Sequence, residues 1–265
     1  MKITVVQPPY FVDNNPDQTI ADFLLSELKN ADSDLIVLPE YSNAGGISDK
    51  ESLLSAIPRA EDMLNQASLT ARQKCAFVAI NVLQQRGGKI KNSTYLFDKN
   101  GDTAFIYDKI HLPPSEVSFG IERGNGECFC EVNGIKFAFL TCYDVYFNEQ
   151  IEYIASKKPD IIIVPGYQRG ERTDIILAQS KLLAFRANAF VARASVSMNS
   201  SDHGGCSLIA SPDGNILKNI GADVGAITAE VDPKYKYMRP AGFGGGMVRN
   251  DDFINSGLMP NIFNK

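Results

Sequence analysis

Three short stretches hold side chains able to do covalent chemistry. "DLIVLPEYSN" delivers Glu40 just past a continuous apolar run and directly after Pro39. A carboxylate there lies either in a solvated loop or in a low-dielectric pocket, where its pKa rises towards the range that suits a general acid or base. "FIYDKIHL" closes an alternating run with Lys109. That lysine is either an exposed side chain or a donor of charged hydrogen bonds to an oxyanion. "IKFAFLTCYDVYFNEQIEYI" reads as a strand, then Cys142, then a helix starting near Phe147, the setting of a nucleophile elbow. The thiol is either a buried structural group or a nucleophile, with the N–H groups after it, notably that of Tyr143, free to hold an oxyanion. The usual proton acceptor for a reactive cysteine is a histidine, and the chain has only His111 and His203.

The elements that must position these groups follow from hydrophobic periodicity. "KITVV", "DLIVLPE", "AFVAINV", "DIIIVPG", "FVARASV", "CSLIASPDGNILK" and "GAITAEVD" supply strands, several of them apolar on both faces and so covered on both sides. "NSTYLFDKNGDTAFIYDK" and "CFCEVNGIKFAFLT" are hairpins turning at Asn100-Gly101 and Asn133-Gly134. "DQTIADFLLSELKN", "AEDMLNQASLTARQK", "NEQIEYIASKK" and "DIILAQSKLLAFRANAF" carry helical spacing. The alternation predicts one layered α/β domain over residues 1–265, helices outside and sheets inside, with 235–265 as an irregular C-terminal arm. "GFGGG" lacks the strand, helix and Lys-Ser/Thr of a phosphate loop.

Bulk properties narrow the class. The 265 residues carry a formal charge of -5 and no basic run, which argues against nucleic acid as a partner. Five cysteines, at spacings that match no metal pattern, read as free thiols in a reducing compartment. No apolar run approaches the roughly 18 residues of a membrane span, and no secretory signal opens the sequence, so the expectation is a cytoplasmic protein without a membrane or metal partner.

Taken together and in order, "LPEY", "YDKIHL" and "TCYD" resemble the Glu, Lys and Cys motifs of the nitrilase, or carbon–nitrogen hydrolase, superfamily. "GGCSLIASPDGNIL" and "LLAFRANAFVARAS" resemble it too, and the likeness covers essentially residues 1–232. The resemblance implies a four-layer α-β-β-α sandwich, no metal or organic cofactor, and at least a homodimer. It implies that Glu40, not a histidine, takes the proton of Cys142, and that Lys109 and the Tyr143 N–H hold the oxyanion. A second glutamate after the lysine orients it, with Glu116 the first candidate and Glu122 the second. The charge on Lys109 is expected to lower the pKa of the neighbouring thiol. His111 then reads as a structural neighbour and His203 as solvated.

"CYD" looks more like the amidase and carbamoylase branches than the nitrile-acting ones. Tyr146 stands where many members have an arginine, and a phenol is a poor substitute for a guanidinium fork. Arg169 and Arg172, in the loop after "DIIIVP", are the candidate replacements at the same rim. The "RAxEN" pattern appears as Arg186 to Phe190 without its Glu-Asn pair. Three functions follow: an amidase releasing ammonia from a small amide, a carbamoylase acting on ureido compounds, and a catalytically silent binding scaffold.

Overall fold

The computed structural model describes residues 1–10, 20–46 and 49–258. The strands in chain order are β1 (Lys2–Gln7), β2 (Leu35–Val37), β3 (Phe77–Arg86), β4 (Lys89–Phe97), β5 (Thr103–Asp108), β6 (Phe129–Val132), β7 (Ile135–Phe139), β8 (Ile161–Pro165), β9 (Phe190–Ala194), β10 (Leu208–Ala210), β11 (Ile216–Asn219), β12 (Gly225–Glu230), β13 (Met238–Pro240) and β14 (Met247–Arg249). The helices are α1 (Ile20–Asn30), α2 (Lys50–Ser55), α3 (Arg59–Lys74), α4 (Pro114–Ser118), α5 (Asn148–Ser156), α6 (Thr173–Ala187) and α7 (Asn250–Ser256). The helix expected from Asp17 is seen from Ile20; its first three residues lie outside the described residues, as do 259–265 of the C-terminal arm.

Two six-stranded sheets form, ordered β12-β1-β2-β3-β4-β5 and β11-β10-β9-β8-β7-β6. Their apolar runs are unbroken because successive side chains serve different layers. Ile3, Val5, Leu35, Val37, Phe77 and Ala79 join a core shared with the second sheet. Their neighbours Val6, Ile36, Leu38, Val78 and Ile80 pack instead with Leu24 and Leu28 of α1 and Met63 and Ala67 of α3. Between the sheets the Phe77 and Phe137 rings meet edge-on at 5.2 Å. Ile154 of α5 and Leu183, Ala184 and Ala187 of α6 pack with the second sheet. The result is the four-layer α-β-β-α sandwich.

Asn133 and Gly134 both take positive φ, 52° and 73°, as a two-residue hairpin turn matched to strand twist requires. β3 and β4 run further than their apolar runs suggest, to a turn at Gly87-Gly88. Within the C-terminal segment a β13–β14 hairpin leads into α7, which lies against α6. Asn188, in the altered "RAxEN" segment, ties this segment down: its amide donates to Asp251 Oδ1 (2.8 Å) and Tyr237 O (3.1 Å) and accepts from Tyr237 N–H (2.7 Å).

Candidate active site

Glu40, Lys109 and Cys142 each leave the carboxyl end of a strand, the usual ligand-binding edge of such sheets. After β2 the Leu38 N–H still donates to Ala79 O (2.9 Å), but Pro39 has no N–H and the ladder stops. Tyr41, at φ 58°, then turns the chain and donates its N–H to Asn81 Oδ1 (2.9 Å), leaving Glu40 facing inward and 1% exposed. After β5, Lys109 donates its N–H to Asn92 O (2.9 Å) and sends its side chain into the interior, 2% exposed. After β7, Thr141 opens a 3-10 turn over Cys142–Tyr146 with a reciprocal capping box to Asp144. Cys142 sits in that turn at φ 48°, a left-handed conformation that a side chain with a Cβ resists, as at a nucleophile elbow.

The three side chains converge. Lys109 Nζ donates to Glu40 Oε1 and to Glu116 Oε1, both at 2.8 Å. Asn92 Nδ2 donates to the same two oxygens at 2.8 and 3.2 Å, and the Tyr41 hydroxyl donates to Glu116 Oε1. The other carboxylate oxygen of each glutamate, Oε2, is buried with no hydrogen-bond partner among the described residues. Burial raises the Glu40 pKa, and the like charge of Glu116 adds to this while Lys109 opposes it. For Lys109, burial favours the neutral amine, but Glu40, Cys142 and Glu116 outweigh it and hold the ammonium charged.

The thiol shift is opposite to the expected one. Lys109 does favour the thiolate of Cys142, but burial and the Glu40 carboxylate outweigh it, and the thiol pKa rises well above its ordinary value. The geometry therefore presents a neutral thiol beside a buried carboxylate, so deprotonation needs a base at the moment of attack. The Tyr143 N–H lies in the turn directly after the sulfur.

Of the two candidate second glutamates, Glu116 stands on α4 beside Lys109, whereas Glu122 pairs with Lys89 at the surface (2.8 Å). Both ring nitrogens of His111 are engaged by other groups, Nδ1 by Asp144 and Gln150 and Nε2 by Glu149. Its N–H and ring Nδ1 reach Asp144 Oδ1 (2.9 and 3.0 Å), and its ring stacks on Phe147 at 3.8 Å. His203 is exposed and meets Ser200 (3.0 Å). Tyr146 is partly exposed and donates to Glu171; its own burial and that carboxylate push its pKa up to about 12. Arg169 reaches the cleft. Arg172 does not: it forks onto Asp174 at the surface (3.0 and 2.5 Å).

A cleft of about 180 Å³ is lined by Glu40, Lys109, Glu116, Cys142, Tyr167 and Arg169, among others. A second hollow of about 360 Å³ meets it at Pro113 and Cys142 and carries Tyr143, Tyr146 and Glu171. Tyr41, Asn81, Asn92 and Asp144 support the site and were not singled out by sequence reasoning. Asn81 and Asn92 did leave a signal, as polar residues in otherwise strand-like runs.

This constellation has relatives. A family model described as carbon–nitrogen hydrolase matches residues 2–238. The 2-oxoglutaramate amidase of Bacillus subtilis is 26% identical over 215 residues, covering 79% of this chain and 82% of that protein. The omega-amidase NIT3 of Saccharomyces cerevisiae is 24% identical over 258 residues, covering 88% of each. Among solved structures, a Glu-to-Gln mutant of the amidase from Nesterenkonia sp. AN1, with the acetamide moiety of fluoroacetamide added covalently at its active site cysteine, superimposes with a TM-score of 0.72 at 17% identity, covering 100% of this chain and 95% of that one. The carbon–nitrogen hydrolase from Helicobacter pylori G27 gives 0.74 at 18% identity, covering 88% and 89%. The order of the Glu, Lys and Cys motifs, the sandwich that brings them together and the family match over nearly the whole chain lead to one conclusion: this chain belongs to the carbon–nitrogen hydrolase family.

Proposed function

We propose that the protein is an amidase that cleaves a small primary amide through a thioester on Cys142, releasing ammonia and a carboxylic acid. The observation that carries this reading is the buried Glu40–Lys109–Glu116 cluster at the same cleft as a cysteine held at positive φ.

Cys142 attacks the amide carbonyl carbon as its proton passes to Glu40, whose Oε2 has no hydrogen-bond partner among the described residues, as is also true of Glu116. The carbonyl π electrons move to oxygen, and the oxyanion is held by the Lys109 ammonium and the Tyr143 N–H. Glu40 returns the proton to nitrogen, the carbon–nitrogen bond breaks, and ammonia leaves. A water then gives a proton to Glu40 and attacks the thioester; the acid departs and the thiol is restored. Glu116, with Asn92 and Tyr41, positions Lys109 and limits the freedom of Glu40.

The test uses Glu40→Gln. Loss of general-base help slows a step by roughly 10²–10⁴-fold, and in this reading Glu40 is the base of the hydrolytic step. Incubated with an activated ester, this variant should carry one acyl group, seen by intact-protein mass spectrometry and mapped to Cys142. An adduct on Cys75, Cys128, Cys130 or Cys206, with Cys142→Ala still turning over amides, overturns the assignment. Carbon dioxide release alongside ammonia from ureido compounds, with no turnover of amides, replaces the amidase by a carbamoylase.

A further inference from the structure

The largest fully buried side chain among the described residues is a cation, Arg193 of β9, and it pairs with no carboxylate among them. Its partners are neutral. Nη1 donates to Gly205 O (2.7 Å) and Cys206 O (2.9 Å), and Nη2 to Gln168 Oε1 (3.1 Å) and, at a longer 3.4 Å, to Ser195 Oγ. Gly205 and Cys206 both stand at positive φ, 58° and 55°, and two successive carbonyls thereby meet one nitrogen. Burial lowers the guanidinium pKa to about 10, so it stays charged at neutral pH. An unpaired buried charge costs more than an apolar side chain of similar volume, so packing alone does not account for an arginine here.

The guanidinium lies under the segment that follows β8. A Cβ added to Gly166 would stand 3.3 Å from Nη2, so the backbone passes directly over the charge. Next comes Tyr167, whose N–H donates to the Cys142 sulfur and favours its thiolate. Gln168, 7% exposed, then returns to Arg193. Arginine has donors only, so the Gln168 carbonyl must face it and the amide nitrogen must face away. Gln168 Nε2 accordingly donates to the Tyr146 hydroxyl (3.1 Å) and to Gln179 Oε1 (3.2 Å), and Tyr146 donates in turn to Glu171. Gln168, Tyr146 and Glu171 all wall the hollow that meets the cleft at Cys142. One buried cation thus sets the direction of three hydrogen bonds in series along that wall.

We propose that Arg193 is a positioning residue for Cys142: gripping segment 166–168 from below, it holds the Tyr167 N–H on the sulfur, and its charge offsets the negative charge that forms there. This rests on the reading of Cys142 as the nucleophile and adds to it a residue outside the cleft. Lys109 is already held between Glu40 and Glu116 at 2.8 Å each, two anions against one cation. The coupling of Arg193 to the site is mutual, since Cys142 and Tyr146 draw its pKa up while burial draws it down. The other titrating groups facing the sulfur are Glu40 and Lys109, and Cys206 also faces Arg193. The variants below leave all three unchanged.

The test reads Cys142 without turnover: its alkylation by iodoacetamide as a function of pH, assigned by peptide mass spectrometry. Arg193→Met removes charge and fork together. Alkylation near pH 8 should slow roughly tenfold, the effect of about one pKa unit on the thiolate fraction, and Arg193→Lys should recover part of it. On a small amide, kcat should fall with KM near the wild-type value, since Arg193 does not touch the substrate. Gln168→Glu is the independent variant, with Arg193 in place. It gives the guanidinium a carboxylate and takes the Gln168 donor from Tyr146, so it too should slow alkylation. A purely structural role would lower the unfolding midpoint and leave the alkylation profile where it is. An unchanged profile in folded Arg193→Met or Gln168→Glu therefore overturns the inference, as does an Arg193→Lys protein alkylated no faster than Arg193→Met. Slowed alkylation in Arg193→Met, with Cys142→Ala still turning over amides, would leave the positioning role standing and sink the thioester reading. An inactive Cys142→Ala, with alkylation and kcat of the Arg193 and Gln168 variants like wild type, does the reverse.

Discussion

Lys109 places one ammonium between two carboxylates in a space closed to bulk water. Removing the cation strands both anions. Lys109→Met should therefore cost about 3–5 kcal/mol of unfolding free energy, the scale of a broken buried pair. Adding Glu116→Gln to it should recover part of the loss, which a urea double-mutant cycle will measure. The same coupling sets the pH response. In the proposed mechanism Glu40 must be ionised to act as a base, and its pKa lies above the ordinary value near 4.5, so kcat/KM should fall as pH drops through that raised pKa. Burial is the main cause, but Glu116 contributes, so Glu116→Gln should move the acidic limb of the profile to lower pH. Movement to higher pH would contradict the charge assignment. Glu40, Lys109 and Cys142 were legible because each ends a strand that the hydrophobic pattern reveals. The sign of the Cys142 shift was not, because it depends on how deeply a neighbouring carboxylate is buried.

At the scale of elements, the loop after β5 and the turn after β7 are tied by Asp144. Its carboxylate accepts from the Tyr107 hydroxyl (2.5 Å), the Thr141 N–H (2.8 Å) and the His111 N–H (2.9 Å). His111 adds its ring to that knot, and the hydrogen bond to Asp144 raises its pKa from 6.5 against some burial. A raised histidine pKa means stability that is fully present below about 6.5 and is lost as pH rises through the folded value. Urea unfolding should show that decline on the alkaline side of 6.5, and His111→Asn should flatten it. The same variant should keep activity to well within the roughly 10²–10⁴-fold that loss of a general base costs. A larger loss in a folded His111→Asn protein would return the imidazole to the chemistry. Sequence periodicity found the long strands and helices, and it failed where elements are short. The five-residue α4, which carries Glu116, is under two turns and has no period to read. Likewise β13 and β14 are three residues each, too short for an alternating pattern, and β14 packs on α7, which lies against α6.

For the molecule as a whole, no helix among the described residues is long and apolar enough to cross a membrane. We expect a homo-oligomer built on the second sheet's helices. Leu182 of α6 is 67% exposed and Tyr153 of α5 46%, apolar surface on the outer layer that a second copy would cover. Sedimentation at micromolar concentration should give a species heavier than 29.0 kDa, and Leu182→Glu should shift it towards that mass. A single wild-type species at 29.0 kDa removes the expectation.

The residues of the proposed chemistry are divided between the two sheets. Glu40 and Lys109 leave β2 and β5 of the first; Cys142 follows β7 of the second. Across the interior the sheets touch through side chains such as Phe77 and Phe137, and backbone joins them only past the strand ends among the described residues, where Tyr10 N–H donates to Ser197 O (3.0 Å) and Ser197 N–H to Pro8 O (2.8 Å). The molecule is thus a vernier for its own registry. A slip of about 1 Å between the layers leaves each ladder of hydrogen bonds whole and the circular dichroism unaltered, yet such a misplacement can cost on the order of 10²-fold in rate. Mild heat, a trimmed phenylalanine or a solvent that loosens the apolar seam should therefore silence the enzyme while it still looks native. Catalysis is a finer thermometer of this fold than its spectrum.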